Sequence, residues 1–277
     1  MQIMEAPLFI VWRESVEALL VIAILYNWLR KENLTHYTNR LWYGTGLGLL
    51  IAAILAGIFW LASNWYGGAG GEWMFTIMMA VAALLILQMV VWMHRNGKHM
   101  KSRLEEQAQK SLAKSQGWGL MLITTLAVAR EGSETVVFLS GIGAQQVGGS
   151  LAYFILGAII GLCLALLSFW LLQKFANAIS WRYFFLISEI ALLLIGGGLF
   201  VSAFDKASGQ LADYNIPDWF YNFMANPIWN SSQILQDNST LTGLTGYHAS
   251  PSLMQISALV LFWVSAILFC SYSNRKT

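Results

Sequence analysis

The sequence predicts an all-α membrane protein with seven transmembrane helices, arranged as a three-plus-three inverted repeat followed by a seventh helix. Long apolar segments, a one-sided distribution of basic loops and a charged motif that occurs twice lead to this prediction. Hydrophobic residues make up 57% of the 277-residue chain, and charged residues make up only 11%. A soluble domain carries about 25% charged residues. The chain therefore has fewer than half the charged residues with which a soluble domain faces water.

Seven segments are long and apolar enough to cross a bilayer, for which a helix needs about 20 mostly apolar residues. They are 7–29, 41–63, 72–93, 118–140, 151–173, 183–204 and 253–272. We expect residues 1–277 to form a single transmembrane domain. Its parts are repeat one (7–93), repeat two (118–204), an external loop (205–252) and helix seven (253–272).

Lysine and arginine are concentrated in alternate loops. Thirteen of the 16 lie in the loops after segments one, three and five or after segment seven, while two lie inside helices. The other loops hold only Lys206. Because basic loops remain in the cytoplasm, we expect the N-terminus outside and the C-terminus in the cytoplasm of a multi-pass protein.

Two connecting stretches are long enough to carry structure of their own. Residues 94–117 mix both charges at helical spacing, which predicts a short surface helix. Residues 205–252 are polar and form either an ordered cap or a partner-docking surface. The predicted outer face is acidic; it either raises the local cation concentration or is an ordinary solvated face.

Segments one and four both place charged residues inside an apolar run, WRESVEALLVI and AREGSETVVFL. An ionisable residue at the centre of a membrane helix costs about 2.5–3.5 kcal/mol, so six unpaired ones would cost about 15–20 kcal/mol. Pairing at i, i+4 offsets part of this cost, and the two glutamates of each motif lie three residues apart on one side. The six residues are Arg13, Glu14 and Glu17 in the first motif and Arg130, Glu131 and Glu134 in the second.

Both motifs lie about seven residues from the outer end of their helices, which is about 10 Å at 1.5 Å per residue. Two antiparallel helices with the same motif at one depth indicate an inverted repeat, in which the motifs meet at the repeat interface. Four converging carboxylates suit a hard cation such as Fe³⁺, Mn²⁺, Mg²⁺ or Ca²⁺. The alternative is a structural Arg–Glu clamp that locks the first helix to the fourth.

RESVE and REGSE resemble the duplicated Arg-Glu-Gly-x-Glu signature of the oxidase-dependent iron transporter family. That family comprises fungal high-affinity iron permeases and bacterial EfeU-type iron permeases. The resemblance covers the whole chain, including the helix number, the orientation and the basic loop after the third helix. Ser15 stands where the signature has glycine, and serine is still small enough for close helix approach.

The resemblance implies a secondary transporter, not an enzyme, in a plasma membrane or bacterial inner membrane. Its substrate would be iron, as Fe³⁺ after extracytoplasmic oxidation or as Fe²⁺, with the four motif glutamates as ligands, the two arginines supporting them and no permanently bound cofactor. The implied partners are a haem peroxidase or ferroxidase and a periplasmic iron-binding protein. The alternative transport function is a proton-coupled transporter or exchanger of Mn²⁺, Ca²⁺ or Pb²⁺.

A membrane enzyme is the competing class of function, and the sequence gives it little support. A haem carrier needs axial ligands in its helices, but the four histidines all lie in or beside loops. A hydrolase needs a base beside its nucleophile, and no histidine offers one inside a segment. No nucleotide-binding glycine loop is present, and a net charge of +2 does not indicate nucleic acid.

Two further polar residues lie inside apolar segments. Glu189 in segment six and Gln88 in segment three both lie in the predicted cytoplasmic half. They form an inner station for the departing ion or carry a coupled proton. The alternative for Glu189 is a structural pair with Arg182, two turns away.

Overall fold

The computed structural model describes residues 4–65, 69–96, 100–115, 117–143, 149–174, 181–212, 217–232 and 245–274. Almost all of these residues are helical, and their β-structure consists of one isolated bridge between Pro227 and Ser252. The predicted all-helical class is therefore confirmed.

The described ranges form nine α-helices and a 3-10 turn at Thr35–Tyr37. The helices are α1 (Glu5–Lys31), α2 (Thr38–Trp65), α3 (Ala69–Asn96), α4 (Met100–Ser115), α5 (Trp118–Gly143), α6 (Gly149–Lys174), α7 (Trp181–Ala212), α8 (Asp218–Ala225) and α9 (Leu253–Asn274). Each of the seven predicted segments falls within one long helix: α1, α2, α3, α5, α6, α7 or α9.

Four stretches of the described chain are long and apolar enough to cross a membrane. They are Thr35–Ala62, Gly71–Met93, Gly149–Leu171 and Leu186–Leu211. Helices α1 and α5 have comparable lengths of 27 and 26 residues, but each carries the three charged residues of a motif. The chain is therefore a multi-pass membrane protein whose two least apolar long helices hold the charged motifs.

The connection between α3 and α5 contains the predicted surface helix, α4. Its exposed side pairs Lys110 with Glu106 at i, i+4, and this hydrogen bond lowers the pKa of the Glu106 carboxyl. Its other side buries Ala108 against apolar residues of α1 and α5, including Leu29 and Leu120. α4 thus packs against one end of the neighbouring helices α1 and α5.

The predicted external loop begins too early, because α7 continues through residues 205–212 to Ala212. Hydrogen bonds to neighbouring helices hold this polar extension, which apolar composition alone could not reveal. Asp205 Oδ1 accepts from Gln255 Nε2 at 2.7 Å, and Gln210 Nε2 donates to Thr76 Oγ1 at 2.9 Å. The extension therefore ties α7 to α9 and to α3.

The principal helix pairs are α1 with α6, α2 with α5 and α3 with α7. A Cβ atom on Gly44 would lie 2.6 Å from the Met121 carbonyl oxygen, and Ala52, two turns later, packs on Gly132. Residue numbers increase in the same direction along both helices from one contact to the next, so α2 and α5 run parallel. Small residues of this kind allow membrane helices to approach closely.

The α1–α6 pair repeats the same arrangement. A Cβ atom on Gly157 would lie 2.5 Å from the Met4 carbonyl oxygen, and Gly161, one turn later, contacts Leu8. α1 and α6 are therefore also parallel. Because α1 also packs on α5, the two helices with charged motifs lie side by side, each flanked by a glycine-containing partner.

Candidate metal centre

Four of the six charged motif residues of α1 and α5 are buried where these helices face each other and α3. Arg13 is 0% exposed, Glu14 is 1% exposed and Glu131 is 7% exposed. Burying a charge is costly unless it is paired and hydrogen-bonded. The motif residues lie on one face of each helix because their spacing of three and four residues matches the helical turn.

In the first motif, one guanidinium joins both carboxylates of its own helix. Arg13 Nη1 donates to Glu14 Oε1 at 2.8 Å, and Arg13 Nη2 lies 2.6 Å from Glu17 Oε1. The predicted i, i+4 pair between Arg13 and Glu17 is thus present. Each glutamate uses one oxygen in this contact.

In the second motif, the arginine is oriented differently. Arg130 Nε donates to Glu134 Oε1 at 2.9 Å, whereas Glu131 Oε1 lies 3.8 Å away. The guanidinium carbon of Arg130 lies 4.3 Å from the ring centre of Trp92. The side chain remains about a third exposed (37%), unlike that of Arg13.

Three of the four predicted ligands converge. Carboxylate oxygens of Glu14, Glu131 and Glu134 lie within 4.8 Å of one another. Oxygens bound to one ion at about 2.0–2.5 Å are at most about 5 Å apart, so the spacing suits a single cation. Glu17 is outside this group and directs one oxygen to Arg13.

The second oxygens of the three converging carboxylates are buried. Glu14 Oε2, Glu131 Oε2 and Glu134 Oε2 have no hydrogen-bond partner among the described residues. Buried polar atoms are nearly always satisfied, and a carboxylate oxygen can be satisfied by a metal ion or by a proton. The donor set contains only hard oxygen atoms, which suits iron and other hard cations.

Helix α3 contributes contacts that the motifs did not reveal. Met89 Sδ accepts from Arg13 Nη1 at 2.9 Å, and Met93 Sδ accepts from Arg13 Nη2 at 3.5 Å. A cavity of about 290 Å³ beside them is lined by Leu85, Gln88, Met89, Trp92, Arg130 and Glu134. An apolar membrane helix gives no sequence signal for such contacts beyond the spacing of Met89, Trp92 and Met93.

The two residues of the predicted inner station lie in different places. Gln88 lines the cavity next to Arg130 and Glu134, on the side of the second motif. Glu189 of α7 is partly buried and interacts electrostatically with Glu17. The side chain of Arg182, the alternative partner of Glu189, lies outside the described part of the structure.

Long apolar helices around a cluster of carboxylates from two helices define the class, a multi-pass membrane protein with a candidate cation site. The chain belongs to the iron permease FTR1 family, whose profile matches residues 4–274. The resemblance predicted from RESVE and REGSE is therefore confirmed.

Bacterial relatives align with nearly the whole chain. Ferrous iron permease EfeU of Yersinia pestis is 26% identical over 284 residues, which cover 99% of this chain and 95% of the relative. Ferrous iron permease EfeU of Escherichia coli O157:H7 is 26% identical over 275 residues, which cover 96% and 94%. No solved structure matches the chain. Both relatives are named as permeases, which are transport proteins.

Proposed function

We propose that this protein is a secondary permease that carries iron through a site formed by its two charged motifs. The observation that carries the proposal is the convergence of Glu14, Glu131 and Glu134. The second oxygen of each is buried and has no hydrogen-bond partner in the part of the chain that the structure describes. Glu17 is the fourth acidic residue of the site and receives the ion from this group. Arg13 and Arg130 limit the repulsion among the four carboxylates.

The helix pairing supports a seven-helix inverted repeat. In such a repeat, α5 is the counterpart of α1 and α6 is the counterpart of α2. The α1–α6 pair is then the counterpart of the α5–α2 pair, and both pairs are parallel. Parallel packing is expected if α1 and α6 run inward while α2 and α5 run outward. In transporters built in this way the substrate site lies at the interface of the repeats.

The distribution of basic loops supports an orientation with the N-terminus outside and the C-terminus in the cytoplasm. Along α1 the order is then Glu14 and, one turn further inward, Glu17. Along α5, Glu134 is outermost and Glu131 lies further inward. We place the protein in the cytoplasmic membrane, which is the inner membrane if the cell is a Gram-negative bacterium.

Charge favours Fe²⁺ as the ion bound at this site. Four glutamates and two arginines give a formal charge of −2, which a divalent ion balances and a trivalent ion exceeds. The relatives are also named ferrous iron permeases. Fe³⁺ delivered after extracytoplasmic oxidation, the form first suggested by the family resemblance, is the alternative.

Extracytoplasmic partners that oxidise or deliver iron would dock on the outer end of α7, α8 and the segment before α9. Two contacts order this surface: Ser231 N donates to the Ala249 carbonyl at 2.8 Å, and Ser231 Oγ lies 2.9 Å from Tyr247 Oη. A haem peroxidase and a periplasmic iron-binding protein are the partner types that we propose. Co-purification of the intact chain with such a protein tests this assignment.

Uptake of radioactive iron into proteoliposomes tests the function. Reducing conditions hold iron as Fe²⁺, and oxidising conditions with a soluble chelate hold it as Fe³⁺. We expect saturable uptake under reducing conditions, with weak competition by Mg²⁺. Preferential uptake of Mn²⁺ or Ca²⁺ coupled to proton movement would instead favour an exchanger of those ions.

A further inference from the structure

One face of α3 contacts the arginines of both motifs. Met89 and Met93 accept hydrogen bonds from Arg13, and the ring of Trp92 lies against Arg130. These three residues occupy i, i+3 and i+4 positions, so they lie together on one helical face. We call Met89, Trp92 and Met93 the α3 clamp.

The partners in the α3 clamp are electrically neutral. A thioether sulfur is a weak hydrogen-bond acceptor, and an aromatic face attracts a guanidinium through its quadrupole. Both stabilise an arginine without adding negative charge. The formal charge of the motif cluster therefore remains −2, whereas a carboxylate at any of these positions would make it more negative.

The α3 clamp also affects which carboxylate oxygens remain free. An arginine frequently holds both oxygens of one carboxylate with two parallel N–H groups. Arg13 instead shares Nη1 between Glu14 Oε1 and Met89 Sδ, which leaves Glu14 Oε2 without a hydrogen-bond partner in the described structure. Arg130 lies against Trp92 and donates to Glu134 Oε1 through Nε, while Glu134 Oε2 has no hydrogen-bond partner among the described residues either.

We propose that Met89, Trp92 and Met93 are positioning residues that hold both motif arginines away from the second oxygens of Glu14 and Glu134. Those oxygens then remain available to the metal. This inference rests on the proposed iron-binding function and adds a third helix to a site that the motifs assign to two. It also accounts for the different geometries of the two motifs, because α3 presents sulfur to one arginine and a ring to the other.

Metal binding to the purified full-length protein tests the α3 clamp, with Mn²⁺ as a redox-stable probe and calorimetry as the measurement. The Met89→Leu, Met93→Leu double variant should bind Mn²⁺ about tenfold more weakly, the scale of one hydrogen bond to a charged group. The Trp92→Leu variant should bind Mn²⁺ about fivefold more weakly, the scale of one cation–π contact. Met89→Gln restores an acceptor and Trp92→Phe restores a ring, so each should recover most of the affinity. Met78→Leu, a buried methionine about three turns away on α3, is the matched control and should bind normally.

A double-mutant cycle separates positioning from general packing. In an Arg13→Lys background, the two methionine substitutions should cause little further loss, because the residue through which they act has changed. An equal tenfold loss in both backgrounds would overturn the inference, as would normal affinity in the leucine variants. If the parent protein bound neither Mn²⁺ nor Fe²⁺, the proposed iron-binding function would fail. The contact between Met89 and Arg13 would then still be tested by a double-mutant cycle in metal-free thermal unfolding, in which additive losses of stability would overturn it.

Discussion

At the scale of single residues, Arg13 and Arg130 occupy equivalent positions in two copies of one motif but have different environments. Arg13 is completely buried and contacts two glutamates and two sulfur atoms. Arg130 is partly exposed and lies between Glu134 and a tryptophan ring. Removing one member of a buried ion pair costs about 3–5 kcal/mol, so substitutions at the first motif should affect folding more than those at the second.

Single glutamate-to-glutamine changes should distinguish ligands from neighbours. Glu14→Gln, Glu131→Gln and Glu134→Gln each remove one charge from the converging group and should weaken Fe²⁺ binding at least about tenfold, or about 1.4 kcal/mol. The Glu17→Gln variant should bind Fe²⁺ with an affinity closer to that of the parent protein but transport it slowly, because Glu17 lies outside that group. Anaerobic binding and proteoliposome uptake measure the two effects. The matched control is Glu72→Gln, a change at an exposed acid of α3; equal losses in all five proteins would contradict the assignment.

Exchanging charges tests the structural-clamp alternative. Arg13→Glu combined with Glu17→Arg, and Arg130→Glu combined with Glu134→Arg, each keep an ion pair on the helix while moving the carboxylate. A structural clamp tolerates the exchange, whereas a metal site requires its oxygen atoms at fixed positions. We therefore expect both exchanged proteins to fold, as judged by size-exclusion chromatography and thermal unfolding, and to lose most iron uptake. Uptake at the parental rate in both would exclude the carboxylate site.

Glu189 tests whether the path continues beyond the motif cluster. It interacts electrostatically with Glu17, which is the motif acid that lies outside the converging group. If the ion moves from Glu17 to Glu189, Glu189→Gln should slow uptake several-fold while leaving equilibrium binding at the cluster unchanged. Normal uptake by this variant would assign Glu189 a structural role.

At the scale of helices, the site depends on how closely α2 and α6 approach the two motif helices. Met121 lies against Gly44 of α2 and Met4 against Gly157 of α6, with no room for a side chain at either glycine. These contacts fix the flanks of α1 and α5. The outward faces of α2 and α6 are apolar and exposed, with residues such as Ile54 and Leu166 more than half exposed, as expected for lipid contact.

Valine at Gly44 should destabilise the protein by about 1–3 kcal/mol, the usual cost of overpacking, because its side chain would collide with the Met121 carbonyl. At Gly46, two residues along the same helix, a Cβ atom would have no atom of the described structure within 4 Å. Gly46→Val is therefore the matched control and should have little effect. Thermal unfolding of both variants in detergent measures the difference. Equal stability of the two proteins would show that the α2–α5 contact is looser than described.

At the scale of the whole molecule, the long apolar segments were sufficient to predict the helical class and the approximate limits of every long helix except the C-terminal end of α7. The doubled motif predicted that α1 and α5 bring their carboxylates together, but it could not predict that Glu17 lies outside the group formed by Glu14, Glu131 and Glu134. Sequence could not predict the helical extension of α7 to Ala212. In this extension Asp205 accepts a hydrogen bond from Gln255, and Gln210 donates one to Thr76. Nor could it predict the contacts of Met89 and Trp92. An apolar residue on a membrane helix has the same sequence pattern whether it contacts lipid, the protein core or an arginine.

Cysteine labelling tests the proposed orientation of the whole chain. In a background with Cys163→Ala and Cys270→Ala, Ser250→Cys, before α9, should react with a membrane-impermeant maleimide added to intact cells. Lys101→Cys on α4 should react only after permeabilisation, because three helices (α5, α6 and α7) separate the two positions and an odd number of crossings places them on opposite sides. Labelling of Lys101→Cys alone would reverse the orientation and place Glu14 on the cytoplasmic side of Glu17. Labelling of both in intact cells would require an even number of crossings and contradict the seven-helix inverted repeat, and with it the common depth of the two motifs.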